Sequence, residues 1–270
     1  MHALFVFAHQ DDEIAFASRI SYALRNGRAV SCAYLTDGEG KGIPSATRDR
    51  ESRRVLAHLG VDLARVHFIG SEERIPDGKL VEQLDRALAL LDARVTEAVD
   101  EIYCLAWEGG HADHDASQLV AAAFAARRGV LAKCYEMPLY HGHRLPGPLF
   151  NTLAPLRVGG PWTGRQITLR EAFGIALLCR FYDSQRATWM GLLPEALIRL
   201  ALGQREHTRP VDVARLTQKP HEGKLFYERR FGVSWESFAR ASAPFVAQLT
   251  ERAHDPRENA APVALTLLPE

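Results

Sequence analysis

Apolar residues in the first 140 positions come in short unbroken runs, separated by longer stretches in which they recur every three or four residues. Residues 3–8 (ALFVFA), 29–36 (AVSCAYLT), 65–70 (RVHFIG), 101–107 (EIYCLAW) and 130–137 (VLAKCYEM) read as buried strands. Between them, Ile14, Ala17, Ile20 and Leu24 place a helix at 13–26. Residues 45–60 begin with Ser/Thr cap candidates and end at Gly60, as helices often do. Leu80, Leu84, Leu88, Leu91 and Val95 predict a helix at 79–98, and Leu119, Val120, Ala123 and Phe124 another at 114–128. Regular alternation of strand and helix predicts an α/β fold, a mostly parallel sheet with helices on both faces.

The pattern loosens after about residue 140. HGHRLPGPLFNTLAPLRVGGPW is rich in Pro and Gly and reads as loop, followed by helices at about 170–180, 194–203 and 234–252. We read the chain as one domain: a core over 1–140, a mixed cap over 141–255 and a loosely held tail over 256–270. Lys plus Arg and Asp plus Glu both number 33, so no global field favours nucleic acid or an anionic membrane. The start carries no basic region typical of a secretory signal, and no apolar stretch approaches the roughly 20 residues that span a bilayer. Cys32, Cys104, Cys134 and Cys179 each lie in an apolar stretch and form no CxxC pair. They read as reduced, buried cysteines of a cytoplasmic protein. A homo-oligomer is left open.

Ligands of parallel sheets bind beyond the carboxyl ends of the strands. After the first strand stand His9, Asp11, Asp12 and Glu13. Acids at a helix N-terminus gain about 0.3–1 kcal/mol each from the dipole, which accounts for one or two of them but not for the histidine or the crowding. His9 and Asp12, three apart across a turn, can face one point, and a divalent cation removes the repulsion. After the fourth strand, WEGGHADHDAS places His111, Asp113 and His114 at the same edge, behind two glycines. One cluster alone reads equally as a capped helix or a polar loop; the two together point to a metal. Imidazole with carboxylate suits Zn2+, with Fe2+ or Mn2+ as alternatives. Three protein ligands leave a position open for water, the mark of a catalytic site.

The segment AHQDDE resembles the AHPDDE motif of the PIG-L (LmbE-like) deacetylases, and HADH resembles that family's HPDH. TDGEGKG (36–42), RDRESRRVLAHLG (48–60) and PDGKL (76–80) resemble further family segments in the same order, so the resemblance spans roughly 3–140. It implies a Rossmann-like fold and a zinc-dependent hydrolase that removes acetyl from an N-acetylglucosamine-type unit, free or in a glycoconjugate. By motif position it implies His9, Asp12 and His114 as zinc ligands and Asp11 as general base. His111 would then stabilise the oxyanion and protonate the leaving amine, kept protonated and oriented by Asp113. Two departures, Gln10 and Ala112 for the motif prolines, should loosen the ligand turns. Arg48 either binds substrate hydroxyls or pairs with Glu51; Asp77 either holds a sugar hydroxyl or makes a Pro-Asp-Gly turn. YHGH (140–143) reads as a solvent-exposed or substrate-lining loop, otherwise as a second metal site, HEGKLFYERR as a packed surface helix or strand, otherwise as a pocket wall, and Trp107 as core. The rival readings are an amidase for a larger acyl group or a thiol conjugate, and a non-catalytic metal- or carbohydrate-binding domain.

Overall fold

A computed structural model describes residues 1–202 and 205–253. In chain order the elements are β1 (His2–Phe7), α1 (Glu13–Arg25), β2 (Ala29–Tyr34), α2 (Ser45–Leu59), β3 (Val66–His67), α3 (Ile69–Glu73), α4 (Leu84–Arg94), β4 (Glu101–Leu105), α5 (Ala112–Arg127), β5 (Cys134–Met137), β6 (Tyr140–His141), β7 (Asn151–Thr152), β8 (Thr163–Gln166), α6 (Leu169–Leu178), α7 (Arg186–Ala201), β9 (Arg205–Pro210), α8 (Phe226–Arg230) and α9 (Trp235–Ala253). Seven strands form one sheet in the order β3-β2-β1-β4-β5-β9-β8. The first five run parallel, and β9 and β8 add antiparallel. The predicted mostly parallel α/β sheet is what the chain forms.

Strand β1 is central and buried at every position, which is why its sequence is an unbroken apolar run and not an alternating one. Alternate residues serve opposite faces. Leu4 and Val6 join the core under α4, α5 and α9; Ala3, Phe5 and Phe7 join the core under α1 and α2. Helix α5 is buried from Ala112 to Ala126. Its run of alanines lets it lie between β4 on one side and α4 and α9 on the other.

The sequence reading holds for β1, β2, β4, β5, α1, α2 and α5 within a few residues. It needs correction in four places. The third strand is only two residues long, because the chain turns into α3 at Gly70, where an added Cβ would sit 2.0 Å from the Thr36 carbonyl carbon. The helix set at 79–98 begins as a 3-10 turn over Leu80–Gln83 and ends at Arg94. The helix set at 194–203 starts at Arg186 and carries Pro194 in its interior. The segment read as a cap also supplies β8 and β9, which extend the central sheet. The tail 256–270 lies outside the described residues. Trp107 is core, 1% exposed, and the FYERR run is the short helix α8. Among the described residues no helix is long and apolar enough to cross a membrane.

A buried ion pair joins the two halves. Glu136 on β5 accepts from the Arg209 guanidinium on β9, from Gln118 Nε2 at 2.6 Å and from the Trp107 amide at 2.9 Å. Both charges are buried, at 1% and 3% exposure. Arg209→Met leaves Glu136 with only Arg215, 3.4 Å away, as a cationic partner, and should lower stability by about 3 kcal/mol, read as a fall in the urea midpoint with an unchanged slope.

Candidate metal centre and active site

The order of strands reverses between β1 and β4: the chain builds outward through β2 and β3, then returns to the other side of β1. Loops from the carboxyl ends of β1 and β4 therefore diverge over a common crevice, the place where such sheets bind ligands. Residues 8–12 leave β1, and residues 106–111 leave β4. Val6 pairs with Cys104, so the two turns start at the same height.

Asp12 folds back over its own turn. Its Oδ2 accepts the amides of Ala8 at 3.0 Å and His9 at 2.8 Å, which leaves Oδ1 to face His114 Nε2 at 3.2 Å. His9 Nδ1 lies 3.3 Å from His114 Nε2 and 3.9 Å from Asp12 Oδ2. All three side chains are buried. Two imidazole nitrogens face each other beside a carboxylate with no polar atom between them, an arrangement a cation resolves. Tetrahedral zinc with ligands at about 2.0–2.1 Å holds its donors about 3.3 Å apart, close to the spacing of His114 Nε2 from His9 Nδ1 and from Asp12 Oδ1. The donors present thus fit a divalent metal. His111 also brings a ligand nitrogen within 4.8 Å of those of His9 and His114, and the donor atoms of His9, Asp77, His111 and Asp113 form a second group within 4.8 Å of one another.

The outer partners are clear for His9. Its Nε2 faces Asp77 Oδ1 at 3.1 Å and Asp113 Oδ2 at 3.3 Å. Carboxylates behind a ligating imidazole fix its ring and raise its basicity. Burial opposes protonation of His9, but Asp77 and Asp113 outweigh it and raise its pKa well above the usual value. Asp77 in turn is pulled well below the carboxylate range by His9, against the cost of its own burial. The Nδ1 of His114 is buried without a partner.

Asp11 occupies a conformation rare for a side-chain-bearing residue, with φ at 114°. Its amide donates to Glu13 Oε2 at 2.9 Å, and its Oδ1 accepts from Arg48 Nη2 at 3.1 Å. Burial, then the neighbouring Asp12, push its pKa up to about 7 against the pull of Arg48. A dication at the site would draw that value down.

Arg48, 5% exposed, also donates to the carbonyls of Gly38 and Gln10. The expected Arg48–Glu51 pair is not made; Glu51 instead accepts from the Ser184 amide at 2.9 Å and hydroxyl at 2.5 Å. The expected loosening at Gln10 is not what the turn shows. The Gln10 amide is fully buried and donates to Asp49 Oδ1 at 2.7 Å and Ser71 Oγ at 3.0 Å.

The expected link between Asp113 and His111 is corrected as well. Asp113 meets His111 through its backbone: its amide donates to His111 Nδ1 at 3.2 Å, capping α5. Its carboxylate accepts from the amides of Gly78 at 2.5 Å and Leu80 at 3.1 Å, and faces His9. With Nδ1 accepting, the proton of His111 sits on Nε2. Burial, then the charge of His9, lower its pKa to about 4, so the ring is neutral.

These residues floor a pocket of about 750 Å³, open mouth included. Arg48, Asp77 and Gly40 make a polar side; Leu139, Tyr140, Trp189 and Phe231 make an apolar wall. Sequence reasoning left the loop of Tyr140 as solvent-exposed or substrate-lining, and missed Trp189 and Phe231, which no spacing marks. Glu108, 1% exposed, accepts the amides of Leu139 and Tyr140 at 2.8 Å each and holds that wall over the site. Gly110 is required beneath it, since an added Cβ would lie 2.1 Å from the Tyr140 carbonyl oxygen. In YHGH, both nitrogens of His141 are engaged, to the Ala154 carbonyl and the His143 amide.

An α/β sheet with a His/Asp cluster at its switch point defines the class. Residues 4–125 match the PIG-L family profile, described as GlcNAc-PI de-N-acetylase. No curated sequence matches the chain. Among solved structures it resembles the zinc-inhibited form of a teicoplanin deacetylase, with TM-score 0.57, 16% identity and coverage of 77% of this chain and 97% of that one. A pseudoaglycone deacetylase matches with TM-score 0.57, 16% identity and coverage of 77% and 96%. The N,N'-diacetylchitobiose deacetylase of Pyrococcus horikoshii matches with TM-score 0.54, 15% identity and coverage of 77% and 84%. At these identities the likeness is one of fold.

Asp77→Asn keeps the shape behind His9 but removes its charge. It should weaken metal affinity about 10–100-fold, measured by competition with a chromophoric chelator.

Proposed function

We propose that the chain is a metal-dependent, zinc-using hydrolase that removes the acetyl group from an N-acetylated amino sugar of the N-acetylglucosamine type, free or in a glycoconjugate. The observation that carries this reading is the convergence of His9 Nδ1, Asp12 and His114 Nε2 beside a separate carboxylate, Asp11, that Arg48 holds in place. A non-catalytic binding domain has no use for that fourth group.

His9, Asp12 and His114 would hold the metal. Asp12 is preferred to His111 as third ligand because its anionic oxygen offsets charge and lies 3.2 Å from His114 Nε2. When bound, the metal acidifies water and polarises the substrate carbonyl. Asp11 takes the proton from the attacking water as general base. His111, neutral with its proton on Nε2, donates a hydrogen bond to the oxygen that becomes negative. Asp11 then returns the proton to the departing amine. Asp113 and Asp77 act through His9, as positioning residues. Arg48 holds the base, and with Asp77 borders the polar side of the pocket, suited to sugar hydroxyls.

Pocket walls come from both halves, so we take the described chain to work as a single domain. Cys32, Cys104, Cys134 and Cys179 are all free, in keeping with a cytoplasmic setting.

The test pairs metal analysis with release of free amine from N-acetylglucosamine and its glycosides. About one equivalent of zinc and amine release that stops with chelator are expected. Asp11→Asn should keep the metal and lose about 10²–10⁴-fold in kcat. A protein that binds no zinc, or a variant as fast as the parent, would refute the reading.

A further inference from the structure

One wall of the metal pocket carries a side chain that neither the metal ligands nor the proton transfers use. Phe231 lines the pocket and is 48% exposed. Among the described residues it is the one large apolar side chain that is both exposed and part of that pocket. An open phenyl ring forgoes part of its hydrophobic stabilisation. The other two rings of the apolar wall are packed. Tyr140 lies against His114, Phe150 and Phe226, with ring centroids 5.3, 5.8 and 5.8 Å away, and Trp189 lies 6.1 Å from Tyr182. Phe231 meets His111 at 4.6 Å, with the rings inclined at 67°, and more loosely Phe226 at 6.4 Å.

Exposed as it is, the ring is held in place from behind. Phe231 closes α8: its amide donates to the Tyr227 carbonyl at 3.0 Å, and Gly232 follows at a φ of 72°, which suits glycine. Helix α8 is in turn tied to the turn that carries His111. The Phe226 amide donates to the Gly109 carbonyl at 2.9 Å. Glu228 accepts the Leu225 amide at 2.6 Å and the Trp235 amide at 3.1 Å, which fastens α8 at both ends. A pyranose ring has two kinds of surface: hydroxyls around its rim and largely C–H faces. The rim needs polar partners, and a C–H face is attracted to the negative face of an aromatic ring. The pocket offers both. Asp77 commits Oδ1 to His9 and leaves Oδ2 for a hydroxyl, and Phe231 supplies the aromatic surface.

We propose that Phe231 is the platform on which the pyranose ring of the substrate lies, one C–H face against the phenyl ring and the hydroxyl rim toward Asp77. The proposal rests on the hydrolase reading above and names the residue that makes that site select a sugar over other N-acetylated amines. Phe231 touches the sugar and not the reacting amide, so it acts on substrate binding and leaves the chemical step to Asp11 and His111.

The experiment compares two substrates on the zinc-loaded protein: N-acetylglucosamine, and N-acetylethanolamine, which has the same amide and no ring. Phe231→Ala should lower the ratio of their kcat/KM values, sugar over ringless amide, by about tenfold. The loss should fall on KM for the sugar and spare its kcat. Phe231→Tyr, which keeps the aromatic face, should restore the ratio. As a readout independent of turnover, N-acetylglucosamine should raise the Tm of the metal-free parent and of Phe231→Tyr, and raise that of Phe231→Ala by less than half as much at the same concentration. An equal fall for both substrates in Phe231→Ala would mean that the ring only packs on His111; it would overturn this proposal and leave the hydrolase reading standing. If the parent hydrolyses neither amide, the hydrolase reading falls, and equal Tm shifts in the parent and Phe231→Ala would overturn the platform as well.

Discussion

Everything at the site depends on two neighbouring parallel strands keeping their register. His9 and His114 are 105 positions apart in sequence, yet their ring nitrogens lie 3.3 Å apart. What brings them together is the pairing of β1 with β4, Ala3 to Glu101 through Val6 to Cys104. A slip of one residue would move a turn by about 3.3 Å and exchange the two faces of the strand. It would also carry Leu4 and Val6 into the core that Phe5 and Phe7 fill. The hydrophobic effect therefore sets the ligand distance, because the wrong register buries the wrong side chains. The fully buried helix α5 extends the same logic. Its cap is His111 and its first turn carries Asp113 and His114, so packing of its alanines on β4 aims the ligand side chain.

Around that frame the charges are arranged so that few are left alone. Asp12 spends one oxygen on two backbone amides and keeps the other for the site. Asp113 gives one oxygen to the Gly78 amide and the other to the Leu80 amide, which ties the loop after α3 to the start of α5 and sets Asp77 behind His9. Asp11 differs. It holds a strained backbone, of the kind that costs on the order of 1–3 kcal/mol and persists only where neighbours over-determine it. Here Glu13 grips its amide and Arg48 its carboxylate. Strain, burial and a single cationic partner fall on the group assigned the proton transfer, while the assigned ligands sit in relaxed, well-bonded turns.

Much of this was legible in the sequence, and the reasons for the rest are physical. Central parallel strands are apolar throughout, so β1, β2, β4 and β5 stand out, and the residues after them are the place to look. His9, Asp11, Asp12, His111, Asp113 and His114 were found that way and do converge. Strands β8 and β9 were not visible, since TGRQ and REHTRP are polar segments that pair antiparallel at the sheet edge. The helix set at about 194–203 starts eight residues earlier, and α7 runs through Pro194. The role of Asp113 was misread because adjacency in sequence suggested a side-chain contact with His111, where the helix cap directs the carboxylate to His9 instead. Trp189 and Phe231 reach the pocket from the C-terminal half only through tertiary packing, which no local pattern encodes.

The exchange of proline for Gln10 has a consequence for how the metal turn is kept rigid. A proline ring restrains a turn covalently and does so even in the unfolded chain. The Gln10 amide restrains it through Asp49 on α2 and Ser71 on α3, which themselves bond to each other at 2.9 Å. The order of the turn is then a cooperative property of three segments and exists only while all three are docked. Transient opening of α2 or α3, the kind of sub-global fluctuation that native-state hydrogen exchange detects, releases the ligand geometry along with it. Residence of a metal held at that turn would thereby be coupled to the lifetime of that closed state, where a proline would have kept the turn's own order local.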